Sequence, residues 1–190
     1  MNNAILIHGM PSKEEYYSNE YPTMSNSHWF PWISKELQIR DIFTVAVEIP
    51  NSYAPEYGVW KREFERFDID ETTILIGHSC GGGFLVRYFS EHPHLRVRHI
   101  ILVAPWINPT KEERAGNFFD FIIRKGIIDQ ASKFTIIASD NDYDTITKSA
   151  DILRNELPGV QYIELKGKQH FTYNDLGTEE FPELLEEIIT

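Results

Sequence analysis

The sequence predicts an α/β fold: an open, mostly parallel sheet of about six strands with helices on both faces. Three observations carry this expectation. Six short runs rich in β-branched residues recur along the chain, most of them are continuously apolar, and segments with helical spacing lie between them. A strand covered on both faces by helices reads as an unbroken apolar run, because neither face meets water. Strands alternating with helices give a parallel sheet, and right-handed crossovers then fix most of its topology.

The first strand is "AILIHG" (Ala4–Gly9), closed by glycine. "MPSKEEYYSNEYPTMSNS" (Met10–Ser27) follows as a long connection rich in Tyr, Asn and Ser, longer than most links inside a compact domain. "HWFPWISKELQ" then sets Trp29, Trp32, Ile33 and Leu37 on one helical face. The second strand is "FTVAVEIP" (Phe43–Pro50), followed by helical spacing of Trp60, Phe64 and Phe67 in "WKREFERF". "TTILIGHS" (Thr72–Ser79) is the third strand, and the helix after it turns Phe84, Leu85, Tyr88 and Phe89 inward. "HIILVAP" (His99–Pro105) is the fourth. A second long connection, Trp106–Lys133, is expected to be partly helical around Phe118–Lys125. "FTIIASD" (Phe134–Asp140), the helical "TITKSADILRNEL", "VQYIEL" (Val160–Leu165) and the helical "FPELLEEIIT" complete the series. No repeat, low-complexity tract or linker interrupts it. With 190 residues, and a prior of about 150 per domain, a single domain over 1–190 is expected.

Composition narrows the function classes. A formal charge of −11 argues against nucleic-acid or anionic-membrane partners, which need a basic footprint. Cys80 is the only cysteine, so cysteine zinc clusters and internal disulfides are excluded, and a reducing, cytoplasmic setting fits. The N-terminus lacks the basic region and apolar core of a signal peptide. No run approaches the roughly 20 apolar residues of a spanning helix. Asp140 and Asp142 have no histidine near them in sequence, so no metal is expected, and no cofactor.

Ligands of an open parallel sheet bind at the carboxyl ends of its strands. His8-Gly9, Ser79, Asp140-Asn141-Asp142 and the loop carrying His170 all follow strand ends. Gly77-His78-Ser79-Cys80-Gly81 satisfies G-x-S-x-G between a strand and a helix, the context of a sharp turn that presents a nucleophilic serine. Small flanking residues are needed because side chains there would strike the neighbouring strand and helix. A serine hydroxyl needs a base, and His170 is the candidate; the histidine needs a carboxylate, and Asp140, Asp142 and Asp144 are available. Backbone N–H groups of Cys80 and Met10 are the candidate oxyanion donors. His8 and His78 are expected to be structural, and Cys80 to contribute its backbone alone. Trp106, Phe118 and Phe119 are candidates for a substrate pocket wall.

These residues resemble a known family: small α/β-hydrolases without a large cap, of the retinoblastoma-binding serine hydrolase type, with bacterial YdeN-like members. The resemblance covers nearly the whole chain. It rests on "HG" after the first strand, "HWFPWISKEL", "IGHSCGG", "ILVAP", "ERAGNFF", "ASDNDYD" and "GKQHF". It implies a reduced α/β-hydrolase fold, with Ser79 as nucleophile, Asp142 as the acid three residues after Ser139, and His170 as base. Three departures stand out. Tyr143 replaces the family's proline after the acid, which leaves Asp140 as an alternative; the family's Pro-Trp pair beyond "ERA" is replaced by "DFIIRKG"; and the insertion after "HGM" is longer than usual. The Leu-x-Cys-x-Glu motif of retinoblastoma binding is absent, so no such partner is carried over.

The expected activity is a serine hydrolase cleaving a small carboxylic ester, thioester or amide through a Ser79 acyl-enzyme, in a shallow, open site. The rival expectation is a catalytically weak α/β-hydrolase-fold module that binds a protein partner of unknown identity.

Overall fold

The computed structural model describes residues 2–190. Six strands, β1 (Asn3–Ile7), β2 (Phe43–Val47), β3 (Thr73–His78), β4 (Val97–Val103), β5 (Ala131–Ser139) and β6 (Gln161–Leu165), form a sheet in the order β2-β1-β3-β4-β5-β6. Every pairing is parallel, and register brings Ile7 level with Gly77 and Ser139 level with Leu165. Strand order reverses at β1: the chain leaves it for β2 on one side and returns to β3 on the other. A crevice forms at such a reversal, at the carboxyl ends of the strands. That places the residues after β1 beside those after β3. The central strand β3 is buried along its whole length, as an unbroken apolar run requires. Strands β2 and β6 are edges and partly exposed, consistent with Gln161 and Glu164 in β6.

Seven helices flank the sheet or line its carboxyl edge: α1 (Lys13–Tyr17), α2 (Phe30–Gln38), α3 (Tyr57–Phe64), α4 (Cys80–Glu91), α5 (Asp144–Glu156), α6 (Tyr173–Leu176) and α7 (Pro182–Ile189). Helix α2 buries Phe30, Ile33 and Leu37, with Trp29 buried just before it; Trp32, expected on that face, is only half-buried. Helix α4 buries Phe84, Leu85, Tyr88 and Phe89. Phe64 of α3 meets Phe84 and Tyr88 edge-to-face at 5.5 and 4.9 Å, the geometry that aromatic quadrupoles favour. Among the described residues nothing builds a separate cap over the sheet edge, and no helix is long and apolar enough to cross a membrane.

Two connections differ from expectation. No helix forms around Phe118–Lys125; 3₁₀ turns lie instead at Glu113–Ala115 and Lys125–Gln130. Side chains of α4 satisfy backbone groups that a helix would pair internally. The Arg87 guanidinium donates to the carbonyls of Asn117 and Phe118, and Arg124 N–H donates to Ser90 Oγ. The Met10–Ser27 connection contains helix α1, closed by a reciprocal box: Ser12 Oγ accepts from Glu15 N–H at 3.1 Å and the Glu15 carboxylate from Ser12 N–H at 2.8 Å. Ser-x-x-Glu is a sequence signal for such a start.

Strands β4 and β5 carry a buried polar cluster facing α7. Thr135 Oγ1 accepts from His99 Nε2–H at 2.9 Å and donates to Glu187, which also pairs with Lys133 at 3.1 Å. Burial lowers the His99 pKa to about 4 despite Glu187, and burial with the nearby His170 does the same to His28. Between pH 6.5 and about 4 the unfolded chain therefore binds protons that the folded chain refuses. Stability falls as pH drops through that window, by up to about 3 kcal/mol per histidine. Thermal melts should show Tm falling already between about pH 6.5 and 5, above the ordinary carboxylate range. A flat Tm across that interval would contradict the assignment.

Candidate active site

Strand β3 ends at His78 and helix α4 begins at Cys80, leaving Ser79 at φ 54°, ψ −118°. A non-glycine residue in that region costs about 1–3 kcal/mol and persists only when its surroundings enforce it. They do so here. Ser79 N–H donates to the Val103 carbonyl at 2.9 Å, and its own carbonyl accepts from Gly82 and Trp106 at 3.0 and 2.9 Å. The flanking glycines make the turn sterically feasible. A Cβ on Gly77 would lie 2.6 Å from the Gly81 carbonyl oxygen; one on Gly81 would press on the Ile7 carbonyl and lie 2.6 Å from that of His8.

The turn leaves Ser79 Oγ 3.0 Å from His170 Nε2, and His170 Nδ1 lies 3.1 Å from each carboxylate oxygen of Asp142. An ionised carboxylate only accepts, so Nδ1 carries the proton and the Nε2 lone pair faces the serine hydroxyl. Of the three acidic candidates, Asp142 alone reaches this imidazole. Its side chain is 2% exposed and also accepts from Tyr143 N–H. Asp140 is exposed and accepts from Gly167 N–H at 2.8 Å, while Asp144 sits in the first turn of α5. The His170 backbone is tied at both ends: its N–H donates to Asp175 at 3.2 Å and its carbonyl accepts from His78 Nε2–H at 2.9 Å. Burial, reinforced by His170 and His28, holds the His78 pKa well below 6.5, so His78 is a neutral donor here.

His8 and the oxyanion loop occupy the other side of Ser79. Buried His8 donates from Nδ1 to the Gly9 carbonyl at 2.7 Å and accepts at Nε2 from Ile49 N–H at 3.1 Å, which determines its tautomer. A trans peptide points its N–H opposite its carbonyl, so pinning the Gly9 oxygen turns the Met10 N–H away from His8. The Gly9 backbone runs close to the serine, since a Cβ there would lie 3.0 Å from Ser79 Cβ. Cys80 opens α4, whose N-terminal dipole favours negative charge. Its thiol is fully buried and burial raises its pKa, so the side chain is inert.

A cavity of about 940 Å³ opens over Ser79 and His170. Met10, Tyr16 and Tyr21 of the long insertion line it, together with Tyr143 and Tyr173. The insertion is anchored by Tyr16, whose hydroxyl accepts from Asn51 N–H at 2.9 Å. The insertion therefore forms part of the site wall. Trp106 lines the cavity. Phe118 and Phe119 do not: Phe118 packs on Trp60 at 5.0 Å in the core, and Phe119 packs behind Trp106 at 5.1 Å. Wall residues that no sequence signal pointed to include His28, Tyr143 and Tyr173. Among the described residues no three His, Cys, Asp or Glu side chains gather in a way that could hold a metal ion.

A hydroxyl bonded to an imidazole whose other nitrogen faces a carboxylate can be deprotonated as it attacks a carbonyl carbon. Comparison with known proteins agrees with that chemistry at the level of family. The model of the family described as serine hydrolase matches residues 19–188. YdeN of Bacillus subtilis (strain 168) is 30% identical over 141 residues, covering 69% of this chain and 72% of its own. Serine hydrolase RBBP9 of Rattus norvegicus is 32% identical over 95 residues, covering 48% of this chain and 50% of its own. The crystal structure of the ydeN gene product from B. subtilis superposes with a TM-score of 0.81 at 23% identity, covering 100% of this chain and 97% of that one.

Proposed function

Because the chain belongs to the serine hydrolase family, we propose that it cleaves a small carboxylic ester, or the related thioester or amide, through an acyl-enzyme on Ser79. The observation that carries this reading is the unbroken line from the Asp142 carboxylate through His170 to Ser79 Oγ, with contacts of 3.1 and 3.0 Å. In the proposed reaction His170 Nε2 takes the serine proton as Oγ bonds to the carbonyl carbon. The carbonyl oxygen becomes an oxyanion held by the Cys80 and Met10 N–H groups. Collapse of the tetrahedral intermediate expels the alkoxide, thiolate or amine, which receives the proton from His170. Water then repeats the sequence against the acyl-serine, and the carboxylic acid leaves. Asp142 holds the imidazole in the required tautomer and stabilises the imidazolium. Each oxyanion donor is worth about 3–4 kcal/mol where this has been measured. Both donors here are main-chain groups, beyond the reach of side-chain substitution.

A fluorophosphonate probe, followed by intact mass and peptide mapping, tests the proposal. A single adduct on Ser79, absent from folded Ser79→Ala, is the expected result, together with loss of p-nitrophenyl acetate turnover in that variant. A folded wild-type protein that takes up no probe, or a Ser79→Ala protein that hydrolyses ester at the wild-type rate, would overturn it.

A further inference from the structure

We infer that Asn141 is a positioning residue for His170: its side-chain oxygen holds Gln169 in the left-handed conformation that aims the imidazole at Ser79. The inference rests on the reading of His170 as the base that activates Ser79.

The turn after β5 and the loop after β6 run side by side, and four consecutive residues of the first grip four consecutive residues of the second. Asp140 Oδ1 accepts from Gly167 N–H at 2.8 Å, Ser139 Oγ from Lys168 N–H at 3.0 Å, and Asn141 Oδ1 from Gln169 N–H at 2.9 Å. Asp142 completes the set with the His170 ring. Asn141 Oδ1 also accepts from the Ser139 hydroxyl at 2.8 Å, so one amide oxygen ties two of the grips together.

Gln169 is the residue in this loop that most needs holding. It and Phe171 lie on either side of His170, at φ 46° and 58°, in a region that residues with a Cβ avoid. Phe171 is held by its buried ring, stacked on Phe181 at 5.2 Å, and its N–H to the Lys168 carbonyl at 3.0 Å closes the turn that spans Gln169 and His170. Gln169 is exposed and has no such packing; the bond to Asn141 is the restraint on its N–H among the described residues. Without it, the turn bond from Phe171 N–H to the Lys168 carbonyl has to hold Gln169 by itself, and relaxation toward negative φ there swings the imidazole away from the serine. Asn141 is exposed too, so truncating it removes no core packing. Its loss should therefore be felt in geometry rather than in stability.

The test is steady-state hydrolysis of p-nitrophenyl acetate, with the fluorophosphonate labelling rate and Tm, on wild type, Asn141→Ala, Asn141→Asp and the double variant Asn141→Ala/Gln169→Gly. Misplacing a catalytic group by about 1 Å can cost about 100-fold, so Asn141→Ala should lower kcat by about tenfold or more, with KM changed less than about twofold. Labelling should slow in parallel and Tm should stay near wild type. Asn141→Asp keeps an acceptor oxygen at the same place and should restore most of kcat. Gln169→Gly should recover part of the loss in the alanine background, because glycine adopts the left-handed conformation without cost from a Cβ. An unchanged kcat in folded Asn141→Ala would overturn the inference. So would failure of both rescues, or a loss of activity that only tracks loss of folded protein. If Asn141→Ala does not fold, the aspartate variant decides: near wild-type kcat supports the acceptor role, and a loss of about tenfold or more in folded protein overturns it. A wild-type protein inert to both probe and ester would remove the reading of Ser79 and His170 itself. A labelled wild type with an indifferent Asn141 removes the positioning role alone.

Discussion

Asp142→Asn should lower turnover of p-nitrophenyl acetate by up to about 10⁴-fold, the loss measured when the equivalent aspartate of a serine protease is changed in this way. Asp140→Asn should leave the rate within about an order of magnitude of wild type, because the isosteric amide still offers an acceptor oxygen. The two carboxylates sit two residues apart but do different work. Both oxygens of Asp142 lie 3.1 Å from His170 Nδ1, and its side chain is 2% exposed. An amide in that place can turn its N–H₂ toward the ring. Nδ1 then becomes the acceptor, Nε2 keeps the proton, and the serine loses its base. Asp140 is exposed and accepts from Gly167 N–H through a carboxylate oxygen, a bond that the amide oxygen of an asparagine there can also accept. Steady-state rates of the two variants, each with a melting curve, settle the comparison. A larger loss at Asp140 than at Asp142 would mean that the acid has been assigned to the wrong residue.

Gly81→Ala should be among the most damaging single methyl groups in the protein. Its Cβ would press on the Ile7 carbonyl and lie 2.6 Å from the His8 carbonyl, both rigid backbone at the end of β1. Overpacking typically costs about 1–3 kcal/mol and sometimes more, and here no flexible side chain can yield. Relief requires α4 and β1 to move apart, which separates the Met10 and Cys80 N–H groups. At about 2–4 °C per kcal/mol for a domain of this size, Tm should fall by about 2–12 °C, or the protein should fail to fold. Whatever folds should lose activity beyond the loss of folded material. Gly58→Ala is the control. It lies in α3 with nothing within 4 Å of its Cβ, so alanine should be neutral or stabilise by up to about 1 kcal/mol. Equal melting temperatures for the two variants would refute the steric account of the turn.

Local patterning sufficed for the strands and for much of the helix packing. Each of the six apolar runs is a strand, with ends displaced by a few residues, because a doubly covered strand writes its burial into consecutive positions. The turn at Ser79 was legible for a similar reason: the glycines that make it feasible are its near neighbours in the chain. Where backbone hydrogen bonds are satisfied from far away, legibility ends. The stretch around Phe118–Lys125 has helical spacing, yet Arg87, some 30 residues earlier, takes the carbonyls of Asn117 and Phe118, and short turns replace the helix. This course of the chain turns Phe118 into the core and sets Phe119 behind Trp106, so neither reaches the cavity.

By itself the sequence determined the strand series, the sharp turn that carries Ser79, and the set of residue types at the strand ends, since all of these depend on side chains a few positions apart. Tertiary structure alone decided which of Asp140, Asp142 and Asp144 meets His170, and that Met10–Ser27 walls a cavity of about 940 Å³ rather than hanging free. Those outcomes turn on contacts between residues 28 to 91 positions apart in the chain, as with Asp142, His170 and Ser79. Such distances are set by strand register and by loop hydrogen bonds, and neither leaves a periodic trace in the amino-acid order.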